Sequence, residues 1–301
     1  MFRAFNRGIE IPAEFLGGLR ESEDCLSSPE ELRQRLDEDG YVLLRSVIAT
    51  ADVWAAREAI LTRLAEVDEI APPVIEGIVT GRSRRLELAP DLGGFWKSVS
   101  EGATLRRVTH GPAVSNLMTT LLGEPAVGHD LVYLRTAAPR QALDLHYDYP
   151  FFTRTTDRVF SAWIPLGDVP VTDGPLLIVE GSNRYVDLIR GVRATDQTVP
   201  LARKLAYDQS ALSFVAERKT RILTTDFRVG DVVVFSMLIA HGSLDNCSPI
   251  GRARVSCDVR YQPATAPRDE RFFGPDPVGL TGDGYAGLNG AQPLTASWQT
   301  R

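Results

Sequence analysis

VFSAWIPLGDVPVTDGPLLIVE, Val159 to Glu180, holds two short runs of β-branched and aromatic residues on either side of a turn. Both runs are strand-length and end in turn residues, which is the grammar of β structure. Asp173-Gly174 between them predicts a type I′ hairpin, whose two central positions need positive φ. The same grammar recurs in LVYLRT from Leu131, RILTTDF from Arg221, DVVVFS from Asp231 and RVSCDVRYQ from Arg254. Several such runs in succession are typical of antiparallel sandwiches and jelly rolls. The expected fold class is therefore mainly β with flanking helices. A polar, partly helical insertion is expected near 185–220, and a Gly- and Pro-rich loop over 264–301.

Upstream the pattern is helical. Residues 1–125 read as a mostly helical part and 126–263 as the β core of one domain spanning 1–301, a length that all-β folds reach without dividing. Glu30 to Asp39 is helix-prone, and Gly40 stops it. After YVLLRSVI, Thr50 is the expected N-cap of a helix with Val53, Ala56, Ile60, Leu64 and Val67 on one face. Pro72-Pro73 breaks that pattern. Residues 74–100 read as irregular, with Arg82, Arg84 and Arg85 in a solvated loop. A further helix is expected over 103–122, ended by Gly123.

The chain has 301 residues and a net charge of −6. An acidic balance argues against a nucleic-acid partner. No apolar run is long enough for a membrane span. The N-terminus shows no secretory h-region, and three cysteines form no C-x-x-C pair, so a cytoplasmic location is expected. Oligomeric state is not legible.

Leu145 to Phe152, LHYDYPFF, places His146 and Asp148 two residues apart, on one face of an extended segment. H-x-D alone is weak, and a lone strand histidine is more often packed than ligating. His241, after the buried-strand pattern DVVVFSMLIA, is the best third ligand. His146, Asp148 and His241 then form the 2-His-1-carboxylate set of non-haem Fe(II) oxygenases, which leaves half of an octahedron open. His110 and His129 read as structural. In oxygenases that take 2-oxoglutarate, a distal carboxylate needs a rigid cation. Arg252, Arg254, Ser256, Asp258 and Arg260 share one parity along RARVSCDVRYQ. Either they face solvent, or they point into a barrel that binds an anion, with Arg252 as its partner.

LDEDGYVLLRSVI, LHYDYP, FSAWIPLGDVPVTDGPLLIVEGSN, GDVVVFSMLIAHGSLDN and GRARVSCDVRYQP, in this order over roughly residues 31–263, resemble the phytanoyl-CoA dioxygenase family of Fe(II)/2-oxoglutarate-dependent oxygenases. The resemblance implies a double-stranded β-helix, a cupin-like jelly roll with helices outside. It implies iron ligation by His146, Asp148 and His241, with Arg252 on the distal carboxylate and Arg254, paired with Ser256, as its rival. Ser243 and Ser256 match hydroxyl positions near the cosubstrate, and Trp163 matches a tryptophan beside the site. Fe(II), 2-oxoglutarate and O2 would together oxidise a C–H bond of a small-molecule substrate, a natural product or lipid-like metabolite. Halogenating relatives lack the carboxylate ligand, so Asp148 favours hydroxylation. Glu180-Gly181-Ser182-Asn183 departs from the family's usual Pro-Gly-Ser-His. The alternatives are a jelly-roll zinc or manganese isomerase or hydrolase, and a non-catalytic binding module. Tyr149, Phe151 and Phe152 could wall a pocket, and Phe272, Phe273 and Tyr285 could form a lid. GDGYAG, Gly282 to Gly287, is not a dinucleotide motif, because no strand precedes it and no βαβ unit surrounds it.

Overall fold

In the computed structural model, which describes residues 3–194 and 210–296, two mainly antiparallel sheets face each other. The larger runs in the order β4 (Tyr41–Leu44), β10 (Val232–Ser236), β7 (Phe160–Pro165) and β12 (Arg254–Pro263), and the far edge of β12 is shared by β5 (Ala126–Gly128) and β6 (Tyr133–Ala137). The smaller runs β11 (His241–Ser243), β8 (Leu176–Val179), β9 (Ile222–Thr224) and β3 (Leu16–Gly18), with β3 parallel to β9. A short hairpin of β1 (Ala4–Asn6) and β2 (Ile9–Ile11) lies outside them.

The period of two along each strand sorts side chains to opposite faces. On the large sheet Ala162, Ile164, Val232, Val234, Val255, Cys257 and Val259 join one core cluster with the helices. Trp163, Val233 and Phe235 turn the other way and meet Leu176 and Ile178 of the small sheet. Every residue of β12 is buried. Its apolar positions lie under helices, so its charged positions, Arg254, Asp258 and Arg260, face the barrel interior rather than solvent.

The helical layer comprises α1 (Pro29–Asp39), α2 (Thr50–Ala65), α3 (Arg85–Leu88), α4 (Leu92–Ser100), α5 (Ala103–His110) and α6 (Pro112–Leu122). Gly40 ends α1 at φ 78°, a left-handed value that favours glycine. Thr50 is the first residue of α2, and Ala49 is its N-cap. The helix expected over 103–122 is broken: Gly111 is extended at ψ 168° and Pro112 opens α6. A proline disfavours helical geometry in the residue before it, which explains the break. The stretch expected to be irregular contains α4, whose N-cap Asp91 accepts a hydrogen bond from the Gly94 amide. Gly93 and Gly94 mask the helix by lowering its propensity.

Asp173-Gly174 is not the turn of a paired hairpin. β7 and β8 belong to different sheets, and Val171–Asp173 is a 3₁₀ turn ended by Gly174 at φ 73°. A Cβ at Gly174 would lie 2.7 Å from Leu244 O, so crowding and handedness both call for glycine there. Between β6 and β10 the chain also forms α7 (Tyr149–Phe152), α8 (Val186–Ala194) and α9 (Ala211–Arg218). Residues 195–209 of the expected insertion lie outside the described residues, as do 297–301 of the tail.

Two expectations about the periphery are corrected. Arg85 is fully buried and pairs with buried Glu69, so it is not in a solvated loop. Its Nη1 donates to Gly290 O, Ala291 O and Gln292 O at 2.6, 3.0 and 2.8 Å, which ties the tail to the helical layer. Phe272 and Tyr285 are core residues rather than a lid: both are buried in the main cluster, and the Tyr285 hydroxyl donates to Glu101 at 2.9 Å. No helix among the described residues is long and apolar enough to cross a membrane.

Candidate metal centre

His146 and His241 exchange both backbone hydrogen bonds, at 2.9 and 3.0 Å. This isolated antiparallel bridge sets the imidazoles side by side with ring centroids 4.3 Å apart. Gly242 follows His241 because a Cβ there would lie 2.7 Å from Leu143 O. Asp148 is two residues beyond His146, at the N-cap position of α7, and points to the same place. Tyr147, between them, turns away, and its hydroxyl donates to Ser182 O at 3.0 Å.

Each imidazole has its tautomer set by the main chain. His146 Nδ1 lies 2.7 Å from Asp144 O and His241 Nδ1 lies 3.1 Å from Ile239 O. A carbonyl only accepts, so each Nδ1 carries the proton and each Nε2 presents a lone pair. His146 Nε2 is 3.5 Å from Asp148 Oδ1, and His241 Nε2 is 3.9 Å from Asp148 Oδ2. The three ligand atoms all lie within 4.8 Å of one another. Ligands about 2 Å from one ion are separated by roughly 3–4 Å, so the spacing suits one cation.

The charge states suit it too. Burial alone would raise the Asp148 pKa, but Arg260, His241 and His146 together hold it well below the usual carboxylate range. Burial, then the neighbouring His146, pushes His241 down to about 4, against the pull of Asp148. At neutral pH His241 is therefore a neutral imidazole and Asp148 a carboxylate, the forms that ligate.

The two candidate arginines lie in different surroundings. Arg252 precedes β12, where the backbone has left β6 and bridges Ile78 at the barrel rim. Its side chain is 26% exposed, with Nη1 3.6 Å from Asp173 and Nη2 3.8 Å from Glu76. It lines a cavity of about 150 Å3 with Trp54 and Arg57, away from the histidines. Arg254 is an interior cation: it is buried, donates through Nη1 to Ser256 Oγ at 2.6 Å and through Nε to Gly174 O at 3.1 Å. Burial, then Arg135, lowers its pKa to about 10, which leaves it charged at neutral pH. Ser243 is buried on β11, and its Oγ accepts from the Leu143 amide at 2.7 Å. Trp163 is buried in the interior beside Phe227, with centroids 4.6 Å apart.

Three features escaped the sequence reading. Arg135 Nε donates to Asp258 Oδ2 at 2.5 Å, Arg260 Nη2 donates to Asp148 Oδ2 at 2.7 Å, and Ser161 Oγ donates to the same oxygen at 3.1 Å. The alternating Arg-x-Ser-x-Asp-x-Arg of β12 was the available signal. A cavity of about 800 Å3 lies elsewhere, lined by Leu16, Gly17 and Thr224 among others. It touches none of the three ligands, and the convergent donors locate the centre better than cavity size does.

The family model for phytanoyl-CoA dioxygenase matches residues 36–254. The chain is 26% identical over 285 residues to 1-deoxypentalenic acid 11-beta-hydroxylase of Streptomyces arenae, covering 84% of this chain and 89% of the relative. It is 26% identical to the ectoine dioxygenase of Bordetella bronchiseptica, covering 77% of this chain and 74% of the relative. Among solved structures, the alpha ketoglutarate dependent carbocyclase SnoK from nogalamycin biosynthesis aligns with TM-score 0.54 at 24% identity, over 83% of this chain and 89% of that one. EctD from S. alaskensis aligns with TM-score 0.54 at 19% identity, over 88% of both chains. At these identities the two structures speak for the jelly-roll fold alone. The family match covers most of the chain, and the donor set fits iron. The chain belongs to the phytanoyl-CoA dioxygenase family and is a non-haem Fe(II)/2-oxoglutarate-dependent oxygenase.

Proposed function

We propose that His146, Asp148 and His241 hold the iron, that Arg254 rather than Arg252 takes the distal carboxylate of 2-oxoglutarate, and that the enzyme hydroxylates a small natural product. The observation that carries this reading is the convergence of two Nε2 lone pairs and one carboxylate within 4.8 Å. Bound iron and cosubstrate supply oxidising power from O2 through decarboxylation of 2-oxoglutarate. The chain's own contribution is placement. The bridged histidines and Asp148 would hold the ion and leave coordination positions for exogenous ligands. Arg254 offers a charged, buried fork next to Ser256, and charge-assisted bonding in a dry interior is strong. Trp163, Phe227 and Phe235 line the neighbouring interior and keep water away from the reacting atoms.

The substrate class rests on the relatives, which are named for 1-deoxypentalenic acid and for ectoine. Asp148 supports hydroxylation over halogenation, since its carboxylate fills the position a halide would need. A zinc or manganese isomerase has no use for Arg254 deep in the barrel.

Anaerobic addition of Fe(II) and then 2-oxoglutarate is expected to produce a weak visible charge-transfer band. His241→Ala is expected to abolish both the band and succinate release, by at least about 1,000-fold, or roughly 4 kcal/mol. A wild-type protein that shows no band at saturating metal and cosubstrate overturns the proposal. Succinate release across a metabolite panel then identifies the substrate.

A further inference from the structure

Asp148 Oδ2 is held from two directions. Arg260 Nη2 donates to it at 2.7 Å and Ser161 Oγ at 3.1 Å. These donors are cross-strand partners, because β12 and β7 pair with Arg260 opposite Ser161. One register position therefore delivers both hydrogen bonds to one oxygen. The other oxygen, Oδ1, faces His146 Nε2 at 3.5 Å.

The guanidinium is itself confined. Its side chain is 1% exposed, and its Cζ lies 4.5 Å from the Tyr133 ring centroid and 4.1 Å from that of Phe152. Phe152 belongs to the helical turn that Asp148 begins, so the segment carrying the carboxylate also covers the arginine that grips it. Among the described residues, Arg260 Nε and Nη1 have no hydrogen-bond partner. A group that leaves two donors unused in the interior, where unmade hydrogen bonds are costly, is held there for its one hydrogen bond, to Asp148.

We propose that Arg260, with Ser161, is a positioning residue for the iron ligand Asp148: it fixes the carboxylate so that Oδ1 alone reaches the metal. This rests on the reading of His146, Asp148 and His241 as the metal centre. Free rotation would let the carboxylate bind through both oxygens and fill a position that cosubstrate or O2 requires. Arg260 touches no reacting atom and acts only through Asp148.

Two variants separate positioning from charge. Arg260→Lys keeps the positive charge but loses the planar fork and its fit between two rings. Ser161→Ala removes one small donor and leaves the charge untouched. Each protein is titrated anaerobically with Co(II), and the visible ligand-field spectrum is recorded with circular dichroism as the check on folding. Groups that orient metal ligands typically contribute 10–100-fold in affinity. We expect about 10-fold weaker Co(II) binding for Arg260→Lys, a smaller loss for Ser161→Ala, and a changed ligand-field spectrum in both. Wild-type affinity and spectrum in both variants overturn the inference. Should Arg260→Lys fail to fold, Ser161→Ala alone decides, and an unchanged spectrum there is sufficient to overturn it. Wild-type protein that binds no Co(II) overturns the metal-centre reading instead.

Discussion

Arg85 and Arg260 are both buried arginines between two aromatic rings, each paired with a buried carboxylate. Arg85 lies over Phe95 and Trp96 at 4.8 and 5.5 Å and pairs with Glu69. Arg260 lies over Tyr133 and Phe152 and pairs with Asp148. They differ in what the carboxylates do next. Glu69 is consumed: one oxygen takes Arg85, and the other accepts from Ser83 Oγ at 2.6 Å and Leu294 N at 3.3 Å. Asp148 has both hydrogen-bond donors on Oδ2, and its other oxygen faces an imidazole lone pair. A buried ion pair is weak evidence for stability in itself. The closed pair serves architecture, and on the proposed reading of the metal centre the one with an unused oxygen serves chemistry.

The widest gap between the two should be in stability. Arg85→Met leaves Glu69 buried without a counter-ion and three tail carbonyls without a donor, and is expected to cost about 3–5 kcal/mol in urea unfolding. Co(II) affinity of the folded fraction should stay at the wild-type value. A drop in metal affinity without loss of stability would break the comparison.

A second experiment sharpens the distinction inside the barrel. Charge-assisted hydrogen bonds contribute about 1.5–3 kcal/mol, so Arg254→Gln is expected to raise the KM for 2-oxoglutarate by about 10–150-fold. Arg252→Gln, at the rim, should change it by less than about 2-fold. The reverse ranking would return the cosubstrate role to Arg252.

The smallest effect concerns pH. His129 is buried, and burial first and then the Arg260 charge push its pKa down to about 3. Its unfolded value is near 6.5. Between those values the unfolded chain binds a proton that the folded one does not, so stability falls as pH falls. The limit is about 1.4 kcal/mol per pH unit, or about 2 kcal/mol from pH 6.5 to 5. Urea midpoints of wild type and His129→Phe at pH 7 and pH 5 test this; the phenylalanine variant should show the shallower loss.

The candidate metal ligands were legible because their chemistry needs rare residue types at fixed spacing, and the strands because their period is two. Arg252 and Arg254 were not separable in the sequence, because parity along a strand says nothing about where the strand leaves the barrel. Arg85 misled for a related reason: a run of arginines reads as a wet surface until Glu69 and the tail carbonyls, distant in sequence, are brought to it. The helix break at Gly111-Pro112 was visible in principle. The turn at Asp173-Gly174 was not, because local turn preference cannot tell a hairpin from a crossing between sheets.

The mutual main-chain bonding of His146 and His241 also bears on how the centre is made. Neither imidazole can reach its place before two segments far apart along the chain have met, so the cradle is assembled in the same event that closes the barrel. The entropy of gathering the ligands is lost during folding rather than at metal uptake. Iron capture should therefore be a single fast step into a ready-made seat, with little further ordering of the polypeptide.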